Sequence, residues 1–278
     1  MRTTMPAAGA GTTRAAVVMT FNLRRASLFD GYNAWRYRKG RAAEAIAAAE
    51  ADFVGTQEGF RSMMAELNAL LPGYAWLGEG RMGGAAGETN AILYRQDRWT
   101  PEESGTFWLS ETPGRPGSRS WGAAYPRICT WALFRENADP TVRLAVFNTH
   151  LDHLSRAARQ HGASLSGRRL LELRGRTGAP AVLTGDFNAK PSSGAIAQLA
   201  KPPFEFVHAF ESYPGGTGAA GATYHGFRGG GRKGEPIDYI FASKPCRLLR
   251  TTVDREKYRG KYPSDHYPVF ARLEWETS

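Results

Sequence analysis

With 278 residues, 42% hydrophobic and 22% charged, the chain has the make-up of a folded globular protein rather than a disordered or membrane-embedded one. It is long enough to bury a full core, as one large α/β domain or two smaller ones, and no apolar run approaches a transmembrane span. A formal charge of +10 fits an anionic partner, nucleic acid or phosphorylated small molecule, but the arginines are dispersed and choose neither.

Residues 1–16 are rich in Ala, Gly and Thr and lack the apolar run of a signal peptide. They are expected to be a disordered leader to a domain over 17–278, with the cytoplasm as default compartment and a monomer as default state. Short apolar runs between turn residues predict strands at 17–21, 53–56, 91–94, 128–134, 144–148, 181–184, 237–241, 246–253 and 268–273. Helices are expected at 33–50, which carries an Ala-rich stripe, at the amphipathic segment 60–71, and at the basic segment 155–174. Gly- and Pro-dense stretches at 78–87, 111–124 and 213–234 read as surface loops. The last of these, with Arg228, Arg232 and Lys233, either cradles a phosphate or is simply a mobile turn. Cys129 and Cys246 fall in strand-like runs and are expected as buried, reduced thiols. Strands interleaved with a few helices, without repeat or linker, predict a mixed α/β fold with buried sheets.

Polar, metal-capable residues repeatedly close an apolar run. Val-Val-Met-Thr-Phe leads into Asn22, Phe-Val-Gly-Thr-Gln into Glu58, and Ala-Val-Phe-Asn-Thr into His150 with Asp152 close behind. Ala-Val-Leu-Thr-Gly leads into Asp186 and Asn188, Pro236-Ile237 into Asp238, and Ser264-Asp265-His266 precedes the last strand. A carboxylate at the mouth of a buried sheet is costly unless a cation or hydrogen-bond donor meets it. Hard oxygen donors such as Glu58, Asp186 and Asp265, with the amides of Asn22 and Asn188, suit Mg2+ or Mn2+. No cysteine lies near them, which argues against structural zinc. Each element alone reads as an ordinary turn or cap; the combination is specific.

These residues resemble the endonuclease/exonuclease/phosphatase superfamily, with the DNase I-like fold. The match runs from Thr20-Phe21-Asn22 to Ser264-Asp265-His266-Tyr267-Pro268-Val269 and includes Asn148-Thr149-His150-Leu151, Gly185-Asp186-Phe187-Asn188 and Ile237-Asp238-Tyr239-Ile240. The resemblance implies a four-layer α/β (α+β) sandwich, two packed and mostly antiparallel sheets flanked by helices, with one site at the sheet ends. It also implies roles. Glu58 would be the main metal ligand, with Asn22 and Asp265 near the same Mg2+ or Mn2+ ion. Asp186 would orient or deprotonate the attacking water, and Asn188 would hold the phosphate or a second ion. His266 would contact phosphoryl oxygens, His150 would help protonate the leaving oxygen, and Asp238 would orient one of the histidines. Within the superfamily, Gly78-Glu79-Gly80-Arg81, Gly87-Glu88, Phe107-Trp108-Leu109-Ser110-Glu111-Thr112-Pro113 and Pro126-Arg127 are similar to a bacterial deadenylase-like branch. That branch commonly carries an acidic pair after the first arginine, where this chain has Met82-Gly83. Arg81, Arg127 and Asp152 are candidates for substrate binding, while Trp108 and Trp121 are expected to pack rather than stack on a base.

The function expected is metal-dependent hydrolysis of a phosphoester by in-line attack of an activated water. A phosphodiester, nucleic acid or nucleotide-like, is the first reading of the substrate. The alternatives are a phosphatase for a small metabolite, sugar or lipid headgroup, and a non-catalytic binder on the same scaffold.

Overall fold

Strand β1 (Thr12–Asn22) opens the fold and displays the period-2 logic that builds it. Ala16 and Val18 enter one apolar cluster, while Met19 and Phe21 enter another. The computed structural model describes residues 12–231 and 233–277. The expected leader is therefore corrected at its end: residues 12–16 are strand, paired from Thr12↔Thr277 to Ala16↔Leu273, and residues 1–11 lie outside the described residues. Composition misled there, because Thr serves an edge-to-edge ladder as readily as a coil. Arg232 also lies outside the described residues.

Among the described residues the strands form two six-stranded sheets. In the first the order is β11 (Arg247–Val253), β12 (Val269–Thr277), β1, β2 (Phe53–Gln57), β4 (Ile92–Arg95) and β3 (Tyr74–Leu77). In the second it is β5 (Trp99–Trp108), β6 (Ile128–Glu136), β7 (Arg143–His150), β8 (Ala181–Asp186), β10 (Asp238–Ala242) and β9 (Val207–His208). Only β1/β2 and β7/β8 run parallel; all other neighbours are antiparallel. Parallel neighbours need long crossovers, and helices α1 (Trp35–Ala48) and α3 (Arg156–Thr177) lie in them. Helices α1 and α2 (Arg61–Leu70) cover the first sheet with Trp35, Ile46, Met63, Met64 and Leu67; α3 covers the second with Leu165, Leu170 and Leu173. This is the expected four-layer sandwich. Both cysteines are free and buried.

The same topology fixes where polar residues gather. Each central parallel pair ends at one edge of its sheet, and β10 and β12 begin there because they run antiparallel to a member of the pair. Hence Asn22 pairs with Gln57, His150 with Asp186, and Asp238 with Asp186. Alternation then turns one row of side chains on each strand into the space between the sheets: Thr20 and Asn22, Asn148 and His150, Thr184 and Asp186.

Beneath that edge a polar clasp replaces apolar packing. Asn148 donates to the carbonyls of Thr56 (2.8 Å) and Ala91 (2.9 Å), and its Oδ1 accepts from Gln57 (2.8 Å) and Thr184 (3.1 Å). Every hydrogen-bonding direction of a fully buried amide is used, which is what makes its burial tolerable. Gly55 allows the close approach: a Cβ there would meet Thr184 Oγ1 at 2.1 Å.

Candidate active site

Two of the residues at the sheet edge leave the strand with an unusual backbone. Glu58 has φ 62° and Asn188 φ 47°, the left-handed region that costs a side-chain-bearing residue energy and recurs at functional sites. The turn at Glu58 aims its carboxylate back across the strand ends. One oxygen accepts from Asn22 Nδ2 (3.1 Å) and the other from the Arg25 N–H (3.0 Å). Asn22 Nδ2 also donates to Asp186 Oδ2 (3.0 Å), so one amide bridges two carboxylates from different sheets. Its Oδ1 accepts from the Arg24 N–H (2.9 Å).

Asp186 sits at the centre. Its Oδ1 accepts from the Asn188 N–H (2.9 Å), and its Oδ2 lies 3.5 Å from His150 Nε2 and 3.8 Å from His266 Nε2. Asn188 Nδ2 reaches His150 Nε2 (3.0 Å) and the Leu151 carbonyl (3.0 Å). His266 Nδ1 is 2.9 Å from Asp238 Oδ2. Asp238 thus stands behind His266, away from the cleft, as an orienting carboxylate. Asp265 lies 3.9 Å from Arg24 and accepts from the Ser264 hydroxyl.

The electrostatics follow from burial and neighbours. Burial and the nearby Asp238 carboxylate push Asp186 up, against the pull of His266, Asn188 and Asn22. Burial opposes the charge on His266, yet Asp238 outweighs it, and with Asp186 and Asp265 holds the imidazolium up to about 10. His150 goes the other way: burial, then Arg127 and His266, keep it neutral, well below the usual histidine range. Burial also opposes ionisation of Glu58, but the Arg25 N–H, Asn22 and His266 win and lower it. The two histidines therefore differ in charge, and the Asn188 amide engages the Nε2 of the neutral one. His150 thus faces both Asp186 and the Asn188 amide at the strand ends.

The edge residues open onto a cleft of about 330 Å3 whose floor includes Glu58, His150, Asp186, Asn188, Asp265 and His266. Arg81 and Arg127 line it as expected, but each is already partnered. Arg81 pairs with Glu88 at 2.7 Å, and Arg127 meets His153 Nδ1 at 2.9 Å and Asp152 at 3.5 Å. Asp152 does not line the cleft. Its oxygens accept from the N–H groups of Leu154 (2.9 Å), Ser155 (2.7 Å) and Ala124 (3.1 Å), which ties the start of α3 to the loop before Arg127. Its substrate-binding assignment is thereby revised to a loop-building one. Burial works against the Asp152 charge, but these N–H groups and Arg127 lower its pKa below the ordinary carboxylate value. A carboxyl lowered in the fold stabilises it above the unfolded-state pKa, and that contribution is lost as pH falls through the folded value. Asp152→Asn should therefore cost about 1 kcal/mol at pH 7, the scale of a lost cap. Thermal melts should show parent and variant converging once the pH falls below about 3.9. A constant gap down to pH 3 would rule this role out.

Several cleft residues carry no motif in the sequence. Arg24, Arg25, Tyr125 and Tyr224 reach the site from loops. Arg38, fully buried in α1, donates to the carbonyls of Leu23, Arg24, Asn33 and Pro263 and so laces the end of β1 to the Ser264-Asp265-His266 turn. In the Gly-rich loop, Arg228 and Lys233 stay off the cleft and Tyr224 is the residue that faces it. Trp108 is buried with its Nε1 on the Arg81 carbonyl, and Trp121 stacks on His161, as packing residues do.

The donor set suits a hard divalent cation. Glu58, Asp186, Asp238 and Asp265 bring four carboxylates to one edge, against His266 and an Arg24 shared with Asp30. Asp186, Asp238 and His266 offer ligand atoms within 4.8 Å of one another. Asp238 gives one oxygen to His266, keeps its Oδ1 buried without a partner and stays off the cleft, whereas Glu58 and Asp265 line the cleft and are the carboxylates placed to face an ion there.

The segment 19–266 matches the model of the Endonuclease/Exonuclease/phosphatase family. A protein of that family from Bacteroides vulgatus is 34% identical, with TM-score 0.85 over 94% of this chain and 98% of its own. One from Bacteroides thetaiotaomicron is 32% identical, with TM-score 0.86 over 96% and 97%. A mannosyl-6-phosphatase of Bacteroides thetaiotaomicron is also 32% identical, with TM-score 0.84 over 93% and 99%. No curated protein sequence matches the chain. Among the described residues no helix is long and apolar enough to cross a membrane.

Proposed function

Because this chain belongs to the endonuclease/exonuclease/phosphatase family, we propose that it is a divalent-metal-dependent phosphomonoesterase acting on a small phosphorylated molecule. The observation that carries the hydrolytic reading is Asp186, poised between a neutral and a charged histidine, with Asn22, Glu58 and Asp265 beside it. The monoester reading draws on the cleft walls. Their arginines are matched to Glu88, Asp152 and His153 instead of forming a free cationic track, which a nucleic acid backbone would call for. The similarity to a mannosyl-6-phosphatase over nearly the whole chain points the same way.

Glu58 and Asp265, with Asn22 behind them, would hold Mg2+ or Mn2+. Bound there, the ion supplies Lewis acidity and neutralises charge on the phosphoryl oxygens. Asp186 accepts the proton of the attacking water, its carboxylate steered by Asn22 and the Asn188 N–H. Asn188 Nδ2, held by His150 and the Leu151 carbonyl, flanks the phosphate. His266, kept charged by Asp238, donates from Nε2 to a phosphoryl oxygen and is the cation placed to protonate the leaving oxygen.

The test is phosphate release from hexose phosphates, a nucleoside monophosphate and oligonucleotides, with Mg2+, Mn2+ or chelator. Release from the monoesters that disappears with chelator is expected. Strand cleavage without monoester hydrolysis would reject this reading in favour of a phosphodiesterase.

A further inference from the structure

Beside Glu58, the cleft has a wall that the hydrolytic chemistry does not use. The loop following β3 crosses back to Gly59, where Thr89 N–H donates to the Gly59 carbonyl, so Glu88 stands next to the Glu58 turn. The Glu88 carboxylate is buried, yet it faces the cleft. Arg81 grips one of its oxygens at 2.7 Å, and Arg25 lies 3.6 Å from the other. The Arg25 backbone donates to Glu58, so one residue touches both the catalytic edge and this wall. The Arg81 guanidinium is packed 4.9 Å from the centre of the Tyr125 ring, and Tyr125 is half exposed at the rim.

Catalysis at Asp186 needs none of these groups. A phosphate would gain little from a carboxylate either, since Glu88 would repel it. What such a wall does recognise is a neutral molecule dense in hydroxyls. Glu88 keeps lone pairs to accept from O–H groups, the half-exposed Arg25 fork donates to neighbouring oxygens, and the exposed part of the Tyr125 ring, packed against the Arg81 guanidinium and the His153 ring, bounds the C–H side of a ring. Arg81 is the brace, its carbonyl held by Trp108 Nε1 and its guanidinium by Glu88. The volume of about 330 Å3 lies at the lower end for ligand sites and suits one ring with its phosphate.

We propose that Arg25, Glu88 and Tyr125 form a head-group subsite for a polyhydroxylated ring, making a monosaccharide phosphate with its phosphate at Asp186 the preferred substrate class. This rests on the phosphomonoesterase reading above. The measurement is the ratio of kcat/KM for a hexose 6-phosphate to that for phenyl phosphate, which has no hydroxyls, in the metal-loaded parent, in Glu88→Gln and in Tyr125→Ala. The parent should favour the hexose phosphate. Glu88→Gln should lower the ratio by about 10–100-fold, the effect of weakening one or two hydrogen bonds to a charged group. Tyr125→Ala, at an exposed position where folding is not in question, should lower it by about 5-fold or more, the scale of a lost ring contact. A ratio unchanged in both variants overturns the subsite while leaving the phosphatase intact. Hydrolysis of neither monoester, with an oligonucleotide cleaved, overturns the phosphomonoesterase reading and the subsite together.

Discussion

Asp186→Asn should lower kcat by about 10²–10⁴-fold, the range for loss of a positioned general base, while the melting temperature stays level or rises. The activity loss follows from position: Asp186 is the carboxylate with both histidines within 4 Å and with Asn22 and Asn188 donating to it. The stability effect follows from burial. In the parent this carboxyl is enclosed near Asp238 and its charge is disfavoured, so a neutral amide of the same shape removes a repulsion. Steady-state turnover and a thermal melt on the same sample test both halves. Turnover within about 5-fold of the parent would exclude Asp186 as the base. A large fall in melting temperature would show instead that it is mainly a structural acceptor.

Asn148→Leu should be the more damaging change to the fold. The side chains are similar in size, so little cavity results, but four partners are abandoned at once. The Thr56 carbonyl would lose its Asn148 donor, while the Ala91 carbonyl, the Gln57 amide and the Thr184 hydroxyl would each lose one buried hydrogen bond and keep another, to Thr56 N–H, to Thr20 and Gly55, and to Phe147. Each lost buried hydrogen bond costs about 0.5–1.5 kcal/mol, so the four together give an expected loss of about 3–5 kcal/mol. For a domain of this size that is a fall of roughly 10 °C in melting temperature. Denaturant unfolding would measure it, and a loss below about 1 kcal/mol would mean the clasp is dispensable.

Strands β2, β6, β7, β8 and β10 were legible because they are buried on both faces and read as apolar runs, and the expected runs also overlap β1, β4, β11 and β12. The unforeseen strands β3, β5 and β9 share one property, their place at a sheet edge. Strand β5 carries Pro101, Glu102, Glu103 and Gly105, which an edge tolerates because one side of its ladder is free. Site residues divided along a similar line. Those ending a strand, from Asn22 to His266, announce themselves by interrupting an apolar run. Glu88 was visible only through the Gly87-Glu88 resemblance, while Arg25 and Tyr125 sit in loops with no pattern to mark them, and tertiary pairing aims them at the cleft. Arg38 was hidden for a further reason, since a buried arginine in an Arg-rich helix looks like its exposed neighbours. Asp152 was visible, but spacing from His150 cannot say which way a side chain in a turn will point.

The two parallel strand pairs imply a division of labour. The first sheet, through Asn22, Glu58 and Asp265, supplies the oxygens suited to an ion. The second, through His150, Asp186, Asn188 and Asp238, supplies the groups that move or steer a proton. The His266–Asp238 pair, the approach of His266 to Asp186 and the Asn22 amide stitch the two sets together. Ion binding and proton transfer are therefore coupled through two residues of the first sheet's edge, Asn22 and His266, and a substitution at either should disturb both at once.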